Sequence, residues 1–181
     1  MKLKRITAAM MALATAFSMT ACAGNNDESG ADKSLDKVKE KGKLILGLDD
    51  SFLPMGFRDD SGNIVGFDID VATEVASRLG VTLELQPVVW ETKESELNSG
   101  TIDCIWNGLS IDPERAEIMN LSKPYLKNKM VYVVLDESEI KTIADMAGKK
   151  IGVQNGSTAQ TALEASDEGK AAGEIVGFSE N

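Results

Sequence analysis

The run of residues 107–115 combines the residue types that can hold a small carboxylate. It follows an apolar stretch, residues 102–106, that is typical of a strand, and it leads into a predicted helix. Asp112 suits the N-cap of that helix, and the proline after it suits the first helical position. Free backbone N–H groups, the hydroxyl of Ser110 and the two-pronged guanidinium of Arg115 would then surround one place. The alternative is an ordinary capped helix with Arg115 in solvent.

A second run of this kind lies near the C-terminal end of the chain. A predicted strand over residues 150–153 leads into the polar loop 154–158, and residues 159–165 are typical of a helix. In parallel α/β sheets, ligands bind outside the carboxyl ends of the strands, where both polar loops are expected to lie. The two loops are therefore the first candidates for a binding site.

Apolar runs and helical spacings alternate along the rest of the chain, and these elements must position the two loops. The pattern predicts helices over residues 34–40, 68–79, 91–98 and 143–147, and strands over residues 43–48, 81–85, 125–135 and 174–178. Asp68 is the expected N-cap of the second helix, and Gly80 is expected to end it. Strands that alternate with helices indicate an α/β fold with a mainly parallel sheet.

The first 21 residues have the pattern of a secretory signal. Three basic residues within the first five precede an uncharged stretch that is too short for a comfortable membrane-spanning helix. Residues 19–22, Met-Thr-Ala-Cys, are similar to the lipobox of bacterial lipoproteins, although Met stands where Leu is commoner. We therefore expect a lipid on Cys22 and a flexible tether over residues 22–34. The alternative is plain cleavage nearby, with Cys22 unmodified.

Composition excludes several classes of protein. Loss of the first 21 residues would leave 16 basic and 29 acidic residues, a net charge of −13, which disfavours nucleic acid and anionic membranes as partners. The chain has no His, and no cluster of Cys, Asp or Glu has the spacing of a metal site, so we expect neither a metal nor a cofactor. With Cys22 lipidated, Cys104 would be an unpaired and inert core residue.

Five motifs in order resemble the amino-acid-binding proteins of bacterial ABC importers, family 3 of the solute-binding proteins. The motifs are FLPMGF, GFDIDVATEVASRLGV, GLSIDPER, SKPYL and GKKIGVQNGSTA. The resemblance implies a type II periplasmic-binding-protein-like α/β fold, in which two lobes joined by a hinge close over one amino acid. Lobe one would cover residues 35–134, and residues 135–181 would be the start of lobe two.

The resemblance also implies roles for residues of lobe one. Phe52 would pack on the ligand side chain, although it could be plain core, and Asp49 would face the side-chain pocket, although it could cap a turn. Gly108 and Ser110 would hold the α-carboxylate and the α-amino group. Arg115 would clamp the carboxylate with two hydrogen bonds.

In lobe two, Thr158 would donate to the carboxylate at a helix N-terminus and Gln154 would lie near the ligand. Asn107 is unusual for the wider family, and we include it among the candidate ligand-binding residues. The family holds the ligand ammonium with an acidic residue whose position lies beyond Asn181, so the resemblance implies that lobe two is truncated in this sequence.

Two tryptophans and a pair of charged residues receive ordinary interpretations. Trp90 and Trp106 are expected in the core more than against a ligand. Lys93 and Glu96 are expected to form a solvated pair on the surface of a helix, because they are three positions apart.

The expected function is that of an extracytoplasmic, lipid-anchored and monomeric receptor. It would bind a polar or cationic amino acid, with cystine, arginine, lysine, histidine and glutamine all open, and deliver it to the permease of an ABC importer. One alternative is an enzyme on the same fold, similar to the cyclohexadienyl or arogenate dehydratases, for which nothing in the sequence is specific. Another is a lipoprotein that senses a ligand at the cell surface.

Overall fold

The computed structural model of the protein describes residues 32–181. The predicted signal, Cys22 and most of the predicted tether lie outside the described residues. The helices are α1 Ser34–Lys41, α2 Phe67–Leu79, α3 Lys93–Ser99, α4 Pro113–Ile118, α5 Thr158–Ala165 and α6 Asp167–Ala171, with short 3₁₀ turns at Trp90–Thr92 and Ile143–Met146. The strands are β1 Lys43–Leu48, β2 Ser51–Phe52, β3 Gly56–Arg58, β4 Ile64–Val65, β5 Thr82–Pro87, β6 Cys104–Ile105, β7 Lys150–Gln154 and β8 Glu174–Phe178.

A three-stranded parallel sheet in the order β5-β1-β6 organises residues 34–118, which we call the first lobe. The middle strand, β1, is an almost continuous apolar run, as expected for a parallel strand covered on both faces. Leu46 and Leu48 of β1 are fully buried, and α2 packs Ile69 and Ala72 against them. The predicted strand over residues 43–48 and the predicted parallel pairing are confirmed.

A small antiparallel sheet of β2, β3 and β4 lies between β1 and α2 in sequence and carries Phe52. Gly66, which follows this sheet, has φ +134°, and a Cβ there would lie 2.5 Å from the carbonyl oxygen of Met55. Only glycine fits this close approach of two backbone segments. A larger residue at Gly66 would therefore collide with the Met55 backbone just before the start of α2.

Asp68 is not the N-cap of α2, so that prediction is wrong. The helix begins at Phe67 after Gly66, which makes no side-chain cap bond. Asp68 lies inside the first turn with its side chain fully buried, where it accepts a hydrogen bond of 2.7 Å from the hydroxyl of Tyr125. Gly80 does end the helix, with φ +73° and the N–H bonded to the carbonyls of the last turn.

The second lobe, residues 143–178, contains the parallel pair β7 and β8, connected through α5 and α6. The predicted strands over residues 150–153 and 174–178 are confirmed, and α5 begins one residue before the predicted start. The predicted helix over residues 143–147 is a single 3₁₀ turn, which buries Met146.

The segment 119–142 joins the two lobes and contains no helix or strand. The predicted strand over residues 125–135 is therefore wrong. Val131, Val133 and Leu135 alternate as strand residues do, yet they are 73%, 88% and 79% exposed. A strand needs a neighbour for its backbone hydrogen bonds, and no strand among residues 32–181 pairs with this segment. The predicted boundary between residues 134 and 135 falls within it.

Cys104 of β6 is half-buried and packs against the core of the first lobe. Burial raises the pKa of the Cys104 thiol to about 12, and the neighbouring charge of Asp103 adds to that shift. The thiol is therefore protonated at neutral pH, which agrees with an inert core residue. Within residues 32–181, helices long and apolar enough to cross a membrane do not occur.

Candidate functional site

A cleft of about 520 Å³ lies between the two lobes, and its volume is in the range of small-molecule sites. The residues that line it include all eight candidates from the sequence: Asp49, Phe52, Asn107, Gly108, Ser110, Arg115, Gln154 and Thr158. The structure therefore brings the candidates of both lobes together. Their individual roles in ligand binding stay predictions.

Arg115 is 8% exposed, so the alternative that it lies in solvent is wrong. The side chain of Asp112 accepts a 3.0 Å hydrogen bond from the Arg115 N–H, and Pro113 takes the first helical position, which confirms the predicted cap of α4. The guanidinium donates from Nη1 to the carbonyl of Ser110 at 3.1 Å and from Nη2 to the carbonyl of Gly156 at 3.1 Å. Its Nε lies 3.5 Å from Oε1 of Glu94.

Gly108 and Phe52 form the wall of the cleft beside Arg115. Gly108 has φ +61°, and a Cβ there would lie 3.0 Å from Cε1 of Phe52. Both the backbone conformation and the ring therefore favour glycine at this position. Phe52 is half-buried, so its ring keeps surface available to a ligand while packing on the loop.

Asn107 precedes this glycine and is 2% exposed. Its amide nitrogen Nδ2 has no hydrogen-bond partner among the described residues. Buried polar atoms are nearly always paired, so this unpaired donor is unusual. It lies against β3, since a Cβ on Gly56 would be 2.7 Å from Nδ2 of Asn107.

The hydroxyl of Ser110 accepts a 3.0 Å hydrogen bond from Nδ2 of Asn128. Its own hydrogen remains free to donate into the cleft. Asn128 belongs to the segment 119–142 and also lines the cleft. Nothing in the sequence indicates this contact, because Asn128 lies outside the five motifs and 18 positions from Ser110.

Asp49 caps a turn with one carboxylate oxygen and contacts the second lobe with the other, and the residue lines the cleft. Oδ1 accepts hydrogen bonds from the backbone N–H of Ser51 at 2.8 Å and from its hydroxyl at 2.6 Å. Oδ2 accepts from Nε2 of Gln154 in the second lobe at 2.5 Å. Asp49 is 6% exposed, and its carboxylate joins the two lobes.

The loop before α5 repeats the arrangement that precedes α4. Ser157 is the N-cap, and its Oγ accepts a 3.1 Å hydrogen bond from the N–H of Gln160. Thr158 is the first helical residue and lines the cleft. The helix N-terminus therefore lies at the edge of the cleft, with its positive dipole end and a hydroxyl.

A cluster of Asp68, Tyr125 and Trp106 lies next to the Gly108 loop, with Asp68 fully buried, Trp106 half-buried and Tyr125 exposed. Burial raises the pKa of Asp68, and the hydrogen bond from Tyr125 opposes that shift. Burial, with the bond to Asp68, raises the pKa of Tyr125 to about 12. Trp106 packs edge-on against the Tyr125 ring and against the core, as expected for a core residue.

Lys93 is 1% exposed, so the predicted solvated pair with Glu96 is wrong. Its ammonium lies 2.9 Å from Oε1 of Glu94 and 4.8 Å from the ring centre of Trp90. Trp90 is buried as expected, but its ring also lines the cleft. The sequence did contain an indication that Lys93 is buried. Lys93 lies three positions after Trp90 and so on the same helical face as a residue that was assigned to the core.

Residues 44–178 match the model of the bacterial extracellular solute-binding proteins, family 3. The chain belongs to this family.

Relatives of this solute-binding protein include the L-cystine-binding protein TcyJ of Escherichia coli (strain K12), which is 36% identical over 145 residues, 78% of this chain and 54% of that protein. The arginine-binding extracellular protein ArtP of Bacillus subtilis (strain 168) is 30% identical over 148 residues, 82% of this chain and 54% of that protein. The chain spans about half the length of the curated relatives it matches.

Among solved structures, an ABC uptake transporter substrate-binding protein from Streptococcus pneumoniae with bound histidine superposes with a TM-score of 0.75 at 36% identity. The match covers 83% of this chain and 63% of that one. The predicted type II periplasmic-binding-protein-like fold is confirmed by this likeness. Within residues 32–181 the structure contains no group of three or more Cys, Asp or Glu side chains that could hold a metal ion.

Proposed function

We propose that this solute-binding protein is a non-catalytic receptor that holds a polar or cationic amino acid in the cleft and delivers it to the permease of an ABC importer. The observation that carries the proposal is the buried guanidinium of Arg115 at the wall of a cleft lined by both lobes. A buried cation with in-plane donors suits a carboxylate, which every free amino acid has.

The α-carboxylate would lie between Arg115 and the N-terminus of α5. Arg115 supplies charge and a planar fork of donors, and Thr158 supplies a hydroxyl at the positive end of a helix dipole. The hydroxyl of Ser110 adds a donor from the first lobe, and Asn107 lines the same wall of the cleft. These groups recognise parts common to all amino acids, and they do not by themselves select a side chain.

The ligand side chain would lie toward Asp49, Phe52 and Trp90. An aromatic wall with a buried carboxylate suits a side chain with an apolar stem and a polar or cationic end. The relatives fit this choice, since they are a cystine-binding protein, an arginine-binding protein and a protein with bound histidine. Cystine therefore stays among the candidates together with the cationic amino acids.

The proposal includes a lipid anchor on Cys22, outside the cytoplasmic membrane. The family is extracellular, and the Met-Thr-Ala-Cys ending of the signal-like segment supports lipidation. Cys22→Ser should move the protein from the membrane fraction to the soluble extracellular fraction. The matched control Cys104→Ser should stay with the membrane, and an unchanged distribution of Cys22→Ser would contradict the anchor.

An enzyme on this fold would need an acid or base that is free to react. Asp49, a carboxylate that lines the cleft, is already engaged by Ser51 and Gln154. No observation on the described residues favours catalysis over binding. The dehydratase alternative is therefore kept only as an outcome of the test.

A thermal-shift and calorimetric screen of the twenty amino acids and cystine tests the proposal. A ligand at about 100 times its dissociation constant should add about 2.7 kcal/mol to the free energy of unfolding. Prephenate and arogenate belong in the same screen, with product analysis. Consumption of either compound, or no stabilisation by any amino acid, would overturn the proposed receptor.

A further inference from the structure

The carbonyl oxygen of Gly156, in the loop before α5, accepts hydrogen bonds from two cations of the first lobe. Nζ of Lys93 lies 3.0 Å from this oxygen and Nη2 of Arg115 lies 3.1 Å from it. Hydrogen bonds from charged donors are roughly twice as strong as neutral ones. A single backbone carbonyl of the second lobe thus accepts hydrogen bonds from two cations of the first.

The backbone at Gly156 lies directly against the 3₁₀ turn of the first lobe. Gly156 has φ +67°, and a Cβ there would lie 2.8 Å from Cα of Glu91. A side chain at this position would therefore separate the two backbones as well as strain its own. This packing is independent of the hydrogen bonds and indicates a contact built for close approach.

The ammonium of Lys93 has three donors, and each has a partner. They are the carbonyl of Gly156, the carbonyl of Trp90 at 3.0 Å and Oε1 of Glu94 at 2.9 Å. Because Lys93 is almost fully buried, a lost partner would leave an unpaired charged donor or admit water to the contact. Burial lowers the pKa of Lys93, and the hydrogen bond and charge of Glu94 oppose this shift.

We propose that Lys93 is a positioning residue that latches the second lobe over the cleft by holding the Gly156 carbonyl. This inference rests on the proposed function, since the cleft it closes is the proposed amino-acid site. Glu94 couples the latch to the site, because its Oε1 lies close both to Lys93 and, at 3.5 Å, to Nε of Arg115.

Lys93 and Arg115 differ in how a ligand affects them. Arg115 lines the cleft, so a bound carboxylate would compete with Gly156 for its Nη2 hydrogen. Lys93 lies behind Trp90, whose ring lines the cleft, and its bond to Gly156 does not depend on a donor that the ligand needs. The second lobe can therefore stay closed over the cleft while Arg115 exchanges its hydrogen bond to Gly156 for one to the ligand.

Hydrogen–deuterium exchange of the full chain tests the latch directly. Lys93→Met keeps a side chain of similar length without the donors, and we expect the amides of residues 154–157 to exchange about tenfold faster, equivalent to about 1.4 kcal/mol. The dissociation constant of a bound amino acid should rise by a similar factor. Lys93→Arg should restore part of the protection, and the control Lys39→Met, on the exposed face of α1, should change neither quantity.

The same contact is tested from its other side by Gly156→Ala, which should expose the same amides. Gly148→Ala is the matched control, since Gly148 has a similar φ of +71° but a Cβ there would meet nothing within 4 Å. If Lys93→Met does not fold, Gly156→Ala decides. Exchange within about twofold of wild type in the deciding variants overturns the latch, even where an amino acid binds. Faster exchange in a protein that binds no amino acid supports the latch and overturns the proposed function.

Discussion

The two lobes differ most in how much apolar surface they bury. In the first lobe, fully buried Leu46 and Leu48 of β1 pack against α2, and further buried apolar residues come from α1 and the segment before β6. In the second lobe, as far as residues 32–181 describe it, Met146 and Leu163 are the buried apolar side chains. Because hydrophobic stabilisation scales with the apolar area removed from water, the first lobe can act as a rigid platform.

The second lobe instead gains order from polar contacts with the first. Gln154 donates to Asp49, and the Gly156 carbonyl accepts from two cations. Such contacts can break and form again without exposing a core, which apolar burial does not allow. Within the described residues, contacts between the second lobe and the first can therefore open at a lower free-energy cost than contacts in the core of the first lobe.

Removal of the Arg115 guanidinium from the first lobe should change ligand affinity more than the other substitutions considered below. Arg115→Ala should weaken every amino-acid ligand by about 2–5 kcal/mol, roughly 30-fold to several thousandfold, because a buried carboxylate loses its partner. Arg115→Lys should recover only part, since it restores the charge but not the fork. Calorimetry measures both variants. Arg78→Ala, which removes an exposed arginine paired with Glu74, should leave binding unchanged; binding of Arg115→Ala within about threefold of wild type would contradict the assignment.

Truncation of one buried leucine in each lobe tests whether the lobes differ in how much buried apolar surface stabilises them. Leu46→Ala should lower the global free energy of unfolding by about 2–5 kcal/mol, because it leaves a cavity in a fully buried site. Leu163→Ala should lower it less and should speed amide exchange mainly within residues 143–178. Denaturant titration with hydrogen exchange measures both quantities, and an equal global loss in the two variants would contradict the contrast between the lobes.

Phe52 lies at the wall of the cleft, where a role in ligand binding and a role in the core have different consequences for stability. Phe52→Ala should weaken ligand binding about tenfold, as for an aromatic anchor, while the melting temperature of the protein without added ligand changes little. Thermal unfolding with and without ligand separates the two effects. A large loss of stability without added ligand would instead assign Phe52 to the core, the alternative that the sequence left open.

The smallest effect concerns the pH dependence of the first lobe. The pKa of Asp68 is raised in the folded protein, so between its usual value and the raised value the folded state binds more protons than the unfolded state. This contribution to stability is complete below the usual pKa of an aspartate and is lost as pH rises through the raised pKa. In Asp68→Asn, the free energy of unfolding should not fall over this pH range, because the titrating carboxyl is absent. Unfolding midpoints of the wild type and the variant, measured across mildly acidic pH, test this expectation. Midpoints that change in parallel with pH would contradict it.

The sequence predicted the elements whose signals are local. The apolar run of β1, the cap at Asp112 and the glycine that ends α2 each follow from neighbouring residues, and each is confirmed. Residue types and spacing predicted the two polar loops 107–115 and 154–158 as the candidate site. The resemblance of ordered motifs added Asp49 and Phe52 and the individual roles, which local patterns cannot supply. The structure places all eight candidates on one cleft.

The errors share a different origin, since each depends on a partner distant in sequence. Asp68 is bonded to Tyr125 instead of capping its helix, and Lys93 is bonded to Gly156 instead of water. The run over residues 125–135 alternates like a strand but has no neighbouring strand among the described residues. Propensity describes what a segment can form, and tertiary contacts decide what it does form.

The shielded thiol of Cys104 has a practical consequence for measuring the motion of the lobes. With a pKa of about 12, on the order of one thiol in 10⁵ is the reactive thiolate at neutral pH. Maleimide dyes should therefore ignore Cys104 and attach to cysteines introduced at exposed positions on either side of the cleft, such as Glu74 and Lys170. With Cys22 acylated or replaced, a donor–acceptor dye pair could then report opening and closing in real time without removal of the native cysteine from β6.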